Sequence, residues 1–512
     1  MASQYLIGVD LGTSSTKAAL YRPDGTLVAE AMAEVPLYCI KPGVVEQHSE
    51  DFYRTAAETV RTCLQSSGID PRQVAAIAFN SQMAGVGAID GDYQAVGHFD
   101  SWLDMRCQPY IEQIEQQYGD LVTRLTGCPP TCDHGPKMMW WREERPSDYA
   151  RIAKFLMPSA YVAGRMSGLA ADEAYIDTTF LHFTALSDAQ NGVWSDELCR
   201  ALGVDPAKLP RIVEPWQVVG EVKGQAAADF GLAPGTLIAA GCGDTAAGAL
   251  GAGIVRPGML FDVAGTASVL AASTDTFVAD VSQRALLTMR SVIPGLWNPL
   301  AYIGGGGQAL RWYRDEFFNT WRGTRQAADE DLYAQMISLA EQAPPGADGL
   351  FFSPHLGGRI CPSTPAMRGA WHGFSWSHTQ AHFARAVLES VAFEYAYYLN
   401  ILREAVPGLT LTETRVIGGG AHSNAWNQIK ANVLNVPYQR LGRAEFGAWG
   451  SAMIAGKAAG IFDDLAEVAA RHAQPDGEPI WPQTAVSQTY QPLIGQYIEW
   501  QATLRDSFTR RS

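Results

Sequence analysis

"YLIGVDLGTSSTKAALYRPDGTLVAEA", residues 5–31, decides the fold. An apolar run ending in Asp10 reads as a strand, "GTSST" as a turn, "KAALY" as a second strand, and Pro23-Asp24-Gly25 as a turn into a third. The first turn is more polar than its geometry demands. Gly12 lets backbone approach closely, successive N–H groups can converge on an anion, and Thr13, Ser14, Ser15, Thr16 and Lys17 can donate to phosphate oxygens. The Gly-x4-Gly-Lys-Ser/Thr spacing of a P-loop is missing, and a strand follows the turn where a P-loop has a helix. A turn that satisfies its own hydroxyls is the competing reading, and Asp10 at the end of a buried strand is what that reading explains worst.

Outward from this hairpin, "SEDFYRTAAETVRTCLQSSG" spaces Phe52, Ala56, Val60 and Leu64 as a helix, and "VAAIAFN" (74–80) reads as a continuous apolar strand. A further hairpin turns at Asp90-Gly91 and leads into "SWLDMRC" (101–107). This is α/β grammar, in which ligands gather at strand ends. Near residue 235 the text becomes rich in small residues, and the domain junction is placed there, giving domains 1–250 and 251–512. The second half offers "IGGGGQALRWYRDEFF", a helix from Ser377 to about Ala405 opened by a capping box of Ser377 and Gln380, and "TRVIGGGAHSNAWNQIKANVL".

A weak internal repeat joins the halves. "LIGVDLGTSSTKAAL" and "MLFDVAGTASVLAAS" each carry an apolar strand with an Asp, a Gly-Thr step and a second apolar strand. A duplicated core, each copy with a phosphate-facing hairpin, would give this pattern.

Composition bounds the function. A chain of 512 residues with 47% hydrophobic and 18% charged side chains is long enough for two large domains. The net charge of -15 and the absence of any basic run exclude a nucleic-acid surface. Eight scattered cysteines match neither a zinc ribbon nor a disulfide framework, and His134, His355 and His422 lack metal-ligand spacing. No signal peptide or membrane-length apolar run is evident, so the expected compartment is the cytoplasm.

Two further motifs carry chemistry. In "GCGDTAAGALGAG" (241–253), Asp244 stands at the first turn of a small-residue helix, either as its N-cap or as a carboxylate able to take a proton from a hydroxyl nucleophile. In "VIGGGAHSN" (416–424), Gly418, Gly419 and Gly420 would let a flat ring or a sugar lie against bare backbone, with Asn424 available at the helix start. Gly304–Gly307 with Gln308 form a weaker cluster of the same kind.

The order of these motifs along one chain, a D-x-G-T-S hairpin, G-x-G-D-x-A-A-G, a second G-T-x-S and then G-G-G-A-x-S-N, resembles the FGGY carbohydrate kinases of the actin, hexokinase and heat-shock-chaperone ATPase superfamily. "SQMAG" (81–85), "SWLDMRC", "GPKMMWW" (135–141), "VWSDEL" (193–198), "RGAWHGFSWSHTQAHFARAVLESVAF" (368–393) and "EFGAWGSAMIAG" (445–456) extend the resemblance over nearly the whole chain. Within the family these strings are most similar to xylulokinases. The resemblance implies an α/β fold of two actin-like, ribonuclease H-like domains, each a mixed sheet with flanking helices, around a central cleft. It implies ATP and Mg2+ as cofactors, a sugar as substrate and a homodimer as one assembly open to the chain. Gln82 and Met83 would touch the sugar with Asp104 and Arg106 close by, Thr245 would face it too, and Asp244 would be the general base. Asp10 would hold Mg2+ through waters. Gly12, Thr13, Ser14 and Lys17, with Gly265 and Thr266, would take the phosphates, and Gln308, Gly418, Gly419, Gly420 and Asn424 the adenosine. Two positions depart from the xylulokinase pattern: Ala84 stands where His is typical, and Thr245 where Asn is usual. A filament- or chaperone-like ATPase would use the same hairpins, and the sugar-side residues disfavour it.

Overall fold

Strong turn chemistry and an apolar first strand produce the opening hairpin, with a shorter turn than the sequence suggests. In a computed structural model that describes residues 4–318, 329–443 and 445–510, strand Tyr5–Leu11 pairs antiparallel with Ser15–Tyr21, which pairs antiparallel with Leu27–Glu34. The connecting turn is residues 12–14, closed by the Gly12 N–H donating to the Ser15 carbonyl at 3.0 Å. Ser15, Thr16 and Lys17 therefore belong to the second strand, and alternation separates them. Thr16 is fully buried with its hydroxyl 2.7 Å from that of Thr55, so it lies in the core and not among the phosphate donors expected of the turn.

Contact clustering divides the chain into two units. One comprises Met1–Val255, Leu287–Asn298 and Arg443–Ala473; the other comprises Arg256–Leu286, Pro299–Gly442 and Gln474–Ser512. The chain thus returns twice to the first unit, at Leu287–Asn298 and at Arg443–Ala473. The physical reason is visible in the helix Phe446–Ala458: its small residues pack against strand Tyr5–Leu11 and helix Asp244–Gly251, far from it in sequence.

In the first unit the sheet runs Leu27–Glu34, Ser15–Tyr21, Tyr5–Leu11, Val74–Ser81, Leu237–Ala239, with Val218–Glu221 beyond and Cys242–Gly243 beside Val74–Ser81. One face, through Ile7, Val9, Leu20 and Phe79, buries against Phe52, Ala56 and Val60 of helix Ser49–Ser67. Burial on both faces explains why strand Tyr5–Leu11 carries no polar side chain before Asp10 and does not alternate.

The second unit repeats the plan. Its strands are neighbours in the order Trp297–Ile303 (from Pro299 on in this unit), Ser268–Ala272, Met259–Ala264, Glu413–Ile417 and Tyr438–Arg440. Successive pairs are antiparallel, antiparallel, parallel and parallel, the same series as in the first unit. The turn at residues 265–267 corresponds to that at 12–14. The duplication read in the sequence is therefore a duplication of topology.

The two strand aspartates, however, are not equivalents. Asp10 lies two residues before its Gly-Thr step and Asp262 three before Gly265, and one residue in a strand exchanges faces. Asp262 is fully buried, 2.5 Å from the Lys430 Nζ, and accepts a hydrogen bond from the Tyr395 hydroxyl at 2.7 Å.

The long C-terminal helix spans Gln380–Ala405, and its cap is Thr379 with His382, whose Nδ1 accepts from the Thr379 N–H. Ser377, expected in that role, instead sits within a turn with its hydroxyl 2.9 Å from that of Ser375. All eight cysteines are free thiols. Among the described residues no helix is long and apolar enough to cross a membrane.

Candidate active site

Three parallel strands end level with one another in the first unit. Asp10 is opposite Asn80, which is opposite Cys242, and the next pairs are Leu11 with Ser81 and Ser81 with Gly243. Gly241 makes the last approach possible: its φ is +82°, and a Cβ there would lie 1.9 Å from the Phe79 carbonyl oxygen. Helix Asp244–Gly251 starts at once, with Gly243 as its N-cap and Asp244 as its first residue. Asp244 is therefore not the cap residue. Its carboxylate accepts from the N–H and the hydroxyl of Thr245 at 2.6 and 3.2 Å, so both residues of interest are locked together at the helix start.

Burial dominates the electrostatics. It pushes the Asp244 carboxyl up to about 6, hydrogen bonds from Thr245 opposing. Asp10 is pushed up to about 7, by burial and then by the Asp244 charge, with Lys17 opposing. Two carboxyls poised so near neutrality at the carboxyl ends of parallel strands have the character of a site for proton or cation chemistry. Asn80 adds a fully buried amide that donates to the Ser451 hydroxyl at 2.9 Å while its Oδ1 has no partner among the described residues.

The polar turn leads into this corner. The Trp102 Nε1 donates to the Thr13 hydroxyl at 2.9 Å, and the Gln47 Nε2 to the Thr13 carbonyl at 2.9 Å. Gln82, buried, donates to Gln47 at 2.8 Å, so it supports the turn through one intermediate, and its own Oε1 has no partner among the described residues. Met83 packs on the backbone just before Asp244: a Cβ at Gly243 would lie 2.4 Å from the Met83 Cε. Asp104 and Arg106 belong to a network of buried and part-buried hydrogen bonds. Asp104 is buried and accepts from the Val45 N–H at 2.7 Å and from the Arg106 N–H and Nε at 3.0 Å. Arg106 also donates to Glu46 and Asp100 and lies over the Trp140 ring. Their polar atoms are spent on each other and on this network, which, with the buried Lys137 ammonium on the Ser101 and Asp104 carbonyls, fixes the loop that carries Trp102.

The second unit has a comparable corner around its own turn. The N–H groups of Gly307 and Gln308 donate to the carbonyls of Gly265 and Thr266 at 3.2 and 2.8 Å, docking the first turn of helix Gly306–Tyr313 on the hairpin. Side chains are excluded there, since a Cβ at Gly307 would lie 2.2 Å from the Gly265 oxygen, and one at Gly418 would lie 2.8 Å from the Ala264 oxygen. The Gly-rich runs at 304–307 and 418–420 thus converge on the Gly265–Thr266 turn. The Gln308 side chain is exposed, and Asn424, exposed at the start of helix Asn424–Leu434, meets Arg440 at 3.4 Å.

Comparison with known proteins decides what these corners belong to. Residues 5–251 match the N-terminal domain of the FGGY family of carbohydrate kinases, and residues 261–459 match its C-terminal domain. The chain belongs to this family. A xylulose kinase of Bacillus subtilis is 29% identical over 96% of both chains, and a gluconokinase of the same organism is 27% identical over 84% of this chain and 83% of its own. The solved structure of a ligand-bound xylulose kinase from Lactobacillus acidophilus superposes with a TM-score of 0.91 at 24% identity, covering 99% of this chain and 100% of that one. The two-domain actin-like fold follows, as does transfer of phosphate from ATP to a sugar.

For this carbohydrate kinase, several residues with apparent work to do were not singled out in the sequence: Asn80, Trp102, Thr179 and Glu445. Trp102 and Glu445 lie inside strings quoted above, yet nothing local marks their side chains. Thr179 is a case of support at a distance. Its hydroxyl donates to the buried Asp177 at 2.5 Å and accepts the Gly243 N–H at 2.9 Å, pinning the residue that precedes Asp244. Thr179→Val is expected to cost about 1–3 kcal/mol in urea unfolding, because the buried Gly243 N–H loses its acceptor, while Thr179→Ser keeps stability near that of the parent. Equal stability of the Val variant would show that this N–H finds another acceptor.

Proposed function

We propose that the chain phosphorylates a primary hydroxyl of a ketose, with D-xylulose the leading substrate and MgATP the phosphoryl donor, in the cytoplasm. The observation that carries the reading is the Asp244 carboxylate, raised toward neutrality beside Asp10 at the strand ends, in a chain aligned from end to end with a xylulose kinase. Asp244 accepts the proton of the attacking hydroxyl, and Thr245 orients that carboxylate through its own hydroxyl. Met83 supplies an apolar wall beside it. Gly12, Thr13, Ser14 and Lys17 of the first turn, and Gly265 and Thr266 of the second, bind phosphate oxygens through N–H, hydroxyl and ammonium groups. Gly418, Gly419, Gly420, Asn424 and Gln308 contact the nucleoside.

The residues fit magnesium. Among the described residues no cluster of three or more His, Cys, Asp and Glu forms a complete metal cage, which suits an ion that keeps water and phosphate ligands and takes one or two carboxylates. Asp10 has no hydrogen-bond donor among the described residues, and the Asn80 Oδ1 nearby is unpartnered, so hard oxygens are available. When bound, the ion would offset charge on the transferring phosphoryl group. Asp10 would hold it, with the Asn80 amide oxygen as a further hard donor beside it.

A second reading, a kinase for another sugar or polyol, is favoured by one specific feature. Ala84 and Thr245 replace the His and Asn of the xylulokinase pattern, and losing a hydrogen-bonding partner can change sugar preference strongly. Gluconate, ribulose, fuculose, erythritol and glycerol are the natural comparisons. ADP release measured across these and D-xylulose, expressed as kcat/KM, tests the proposal. D-xylulose is expected to give the highest value, and a higher value for another compound replaces it as substrate.

A further inference from the structure

Asp10 and Lys17 are directly opposite each other in the register of the opening hairpin. Residues so paired project to the same face with Cβ atoms about 4.5–5.5 Å apart, where an ammonium and a carboxylate ordinarily join. Lys17 does otherwise. Its Nζ lies 2.9 Å from one oxygen of Glu445 and 3.2 Å from the other, a two-oxygen grip by a residue distant in sequence. Glu445 immediately precedes helix Phe446–Ala458, whose second residue, Gly447, lies against both Asp10 and Asn80: a Cβ there would be 3.5 Å from the Asp10 Oδ2 and 3.4 Å from the Asn80 Nδ2. The helix that carries Glu445 is thus seated on the Asp10 corner, and both partners of the ion pair remain partly accessible, at 35% and 29% side-chain exposure.

We propose that Glu445 is a positioning residue that draws the Lys17 ammonium away from Asp10 and so keeps the Asp10 carboxylate open to a divalent cation. The proposal rests on the reading of Asp10 as the metal-holding residue. Three carboxyls and one ammonium share this corner: Asp10, Asp244, Glu445 and Lys17. If Lys17 paired with Asp10, an incoming cation would have to displace an ammonium and Glu445 would be left without its partner. With Lys17 on Glu445, the cation meets a bare carboxylate, and the ammonium stays on the same face of the hairpin, within reach of a phosphate oxygen. A glutamine at 445 keeps the size and one acceptor oxygen but not the charge, so Lys17 would turn to its cross-strand neighbour.

Direct metal binding tests this with Mn2+ as the probe, a hard cation whose free form is read by electron paramagnetic resonance, titrated into the full chain without nucleotide, so that the phosphate role proposed for Lys17 does not enter the readout. Glu445→Gln is expected to weaken Mn2+ binding about tenfold, the size of one partly buried ion pair that must be broken. Glu445→Asp is expected to stay within about twofold of the parent. The double variant Lys17→Met, Glu445→Gln separates diversion from simple damage: removing the competing ammonium restores affinity if Lys17 is the cause, whereas affinity that stays weak overturns the proposal. Asp10→Asn guards the premise. If it loses Mn2+ while Glu445→Gln binds like the parent, the diversion is wrong and Asp10 keeps its role; if Asp10→Asn itself binds Mn2+ like the parent, the metal reading of Asp10 falls.

Discussion

Asp244→Asn is expected to lower sugar phosphorylation by about 100-fold or more, the usual worth of general-base assistance, with the fall in kcat. Asparagine keeps the size of the side chain and an oxygen that can accept from the Thr245 N–H and hydroxyl, so the helix start should survive. What it loses is basicity. Because burial raises the Asp244 carboxyl to about 6, the group is protonated and idle below that pH and ionised above it. The parent enzyme should therefore lose activity as pH falls through about 6, and the residual activity of the Asn variant should lack that acid limb. A steady-state pH series on both proteins reads this directly. A variant that turns over normally, folded and with the same acid limb, would move the proton-accepting role elsewhere.

Lys430→Met is expected to destabilise the second unit by about 3–5 kcal/mol, because it leaves Asp262 as a buried carboxylate without its cation. Both groups are fully buried, with Lys430 also lying 4.3 Å from the centroid of the Trp426 ring. Tyr395 would remain as a neutral donor, too little to hold the charge. Urea unfolding followed by aromatic fluorescence should show the C-terminal unit melting early, and a midpoint equal to the parent's would mean that Asp262 takes up a proton at little cost. Replacing both residues together, Asp262→Leu with Lys430→Met, is expected to recover much of the loss, since a buried pair is often no better than an apolar pair of like volume.

Asp262 and Asp10 separate what is legible in sequence from what is not. The apolar strands, the Gly-Thr turns and the helix Ser49–Ser67 were readable because each depends on local chemistry: period, φ preference and hydrophobic spacing. The repeat was readable as well, and it is a true duplication of strand order. Which face an Asp occupies was not, since Asp10 and Asp262 look alike in two similar strings and differ by one residue of offset. The helix cap at Thr379 was missed for a smaller reason, as several Ser and Thr residues compete within a few positions and only backbone geometry chooses.

The sequence alone determined that this chain is an α/β protein of duplicated design, and the order of its motifs pointed to the FGGY family and to Asp10 and Asp244 as the residues to watch. Only the tertiary structure decided the company they keep. Lys17 answers to Glu445, a partner 428 positions away, and not to the Asp10 opposite it. Asp104 and Arg106 bond each other, and Trp102, two residues before Asp104, donates to Thr13 of the opening turn. The reason is physical: a residue's type fixes what bonds it can make, but which of them it makes depends on groups brought near by packing, and pairs so distant in the chain leave no local pattern to read.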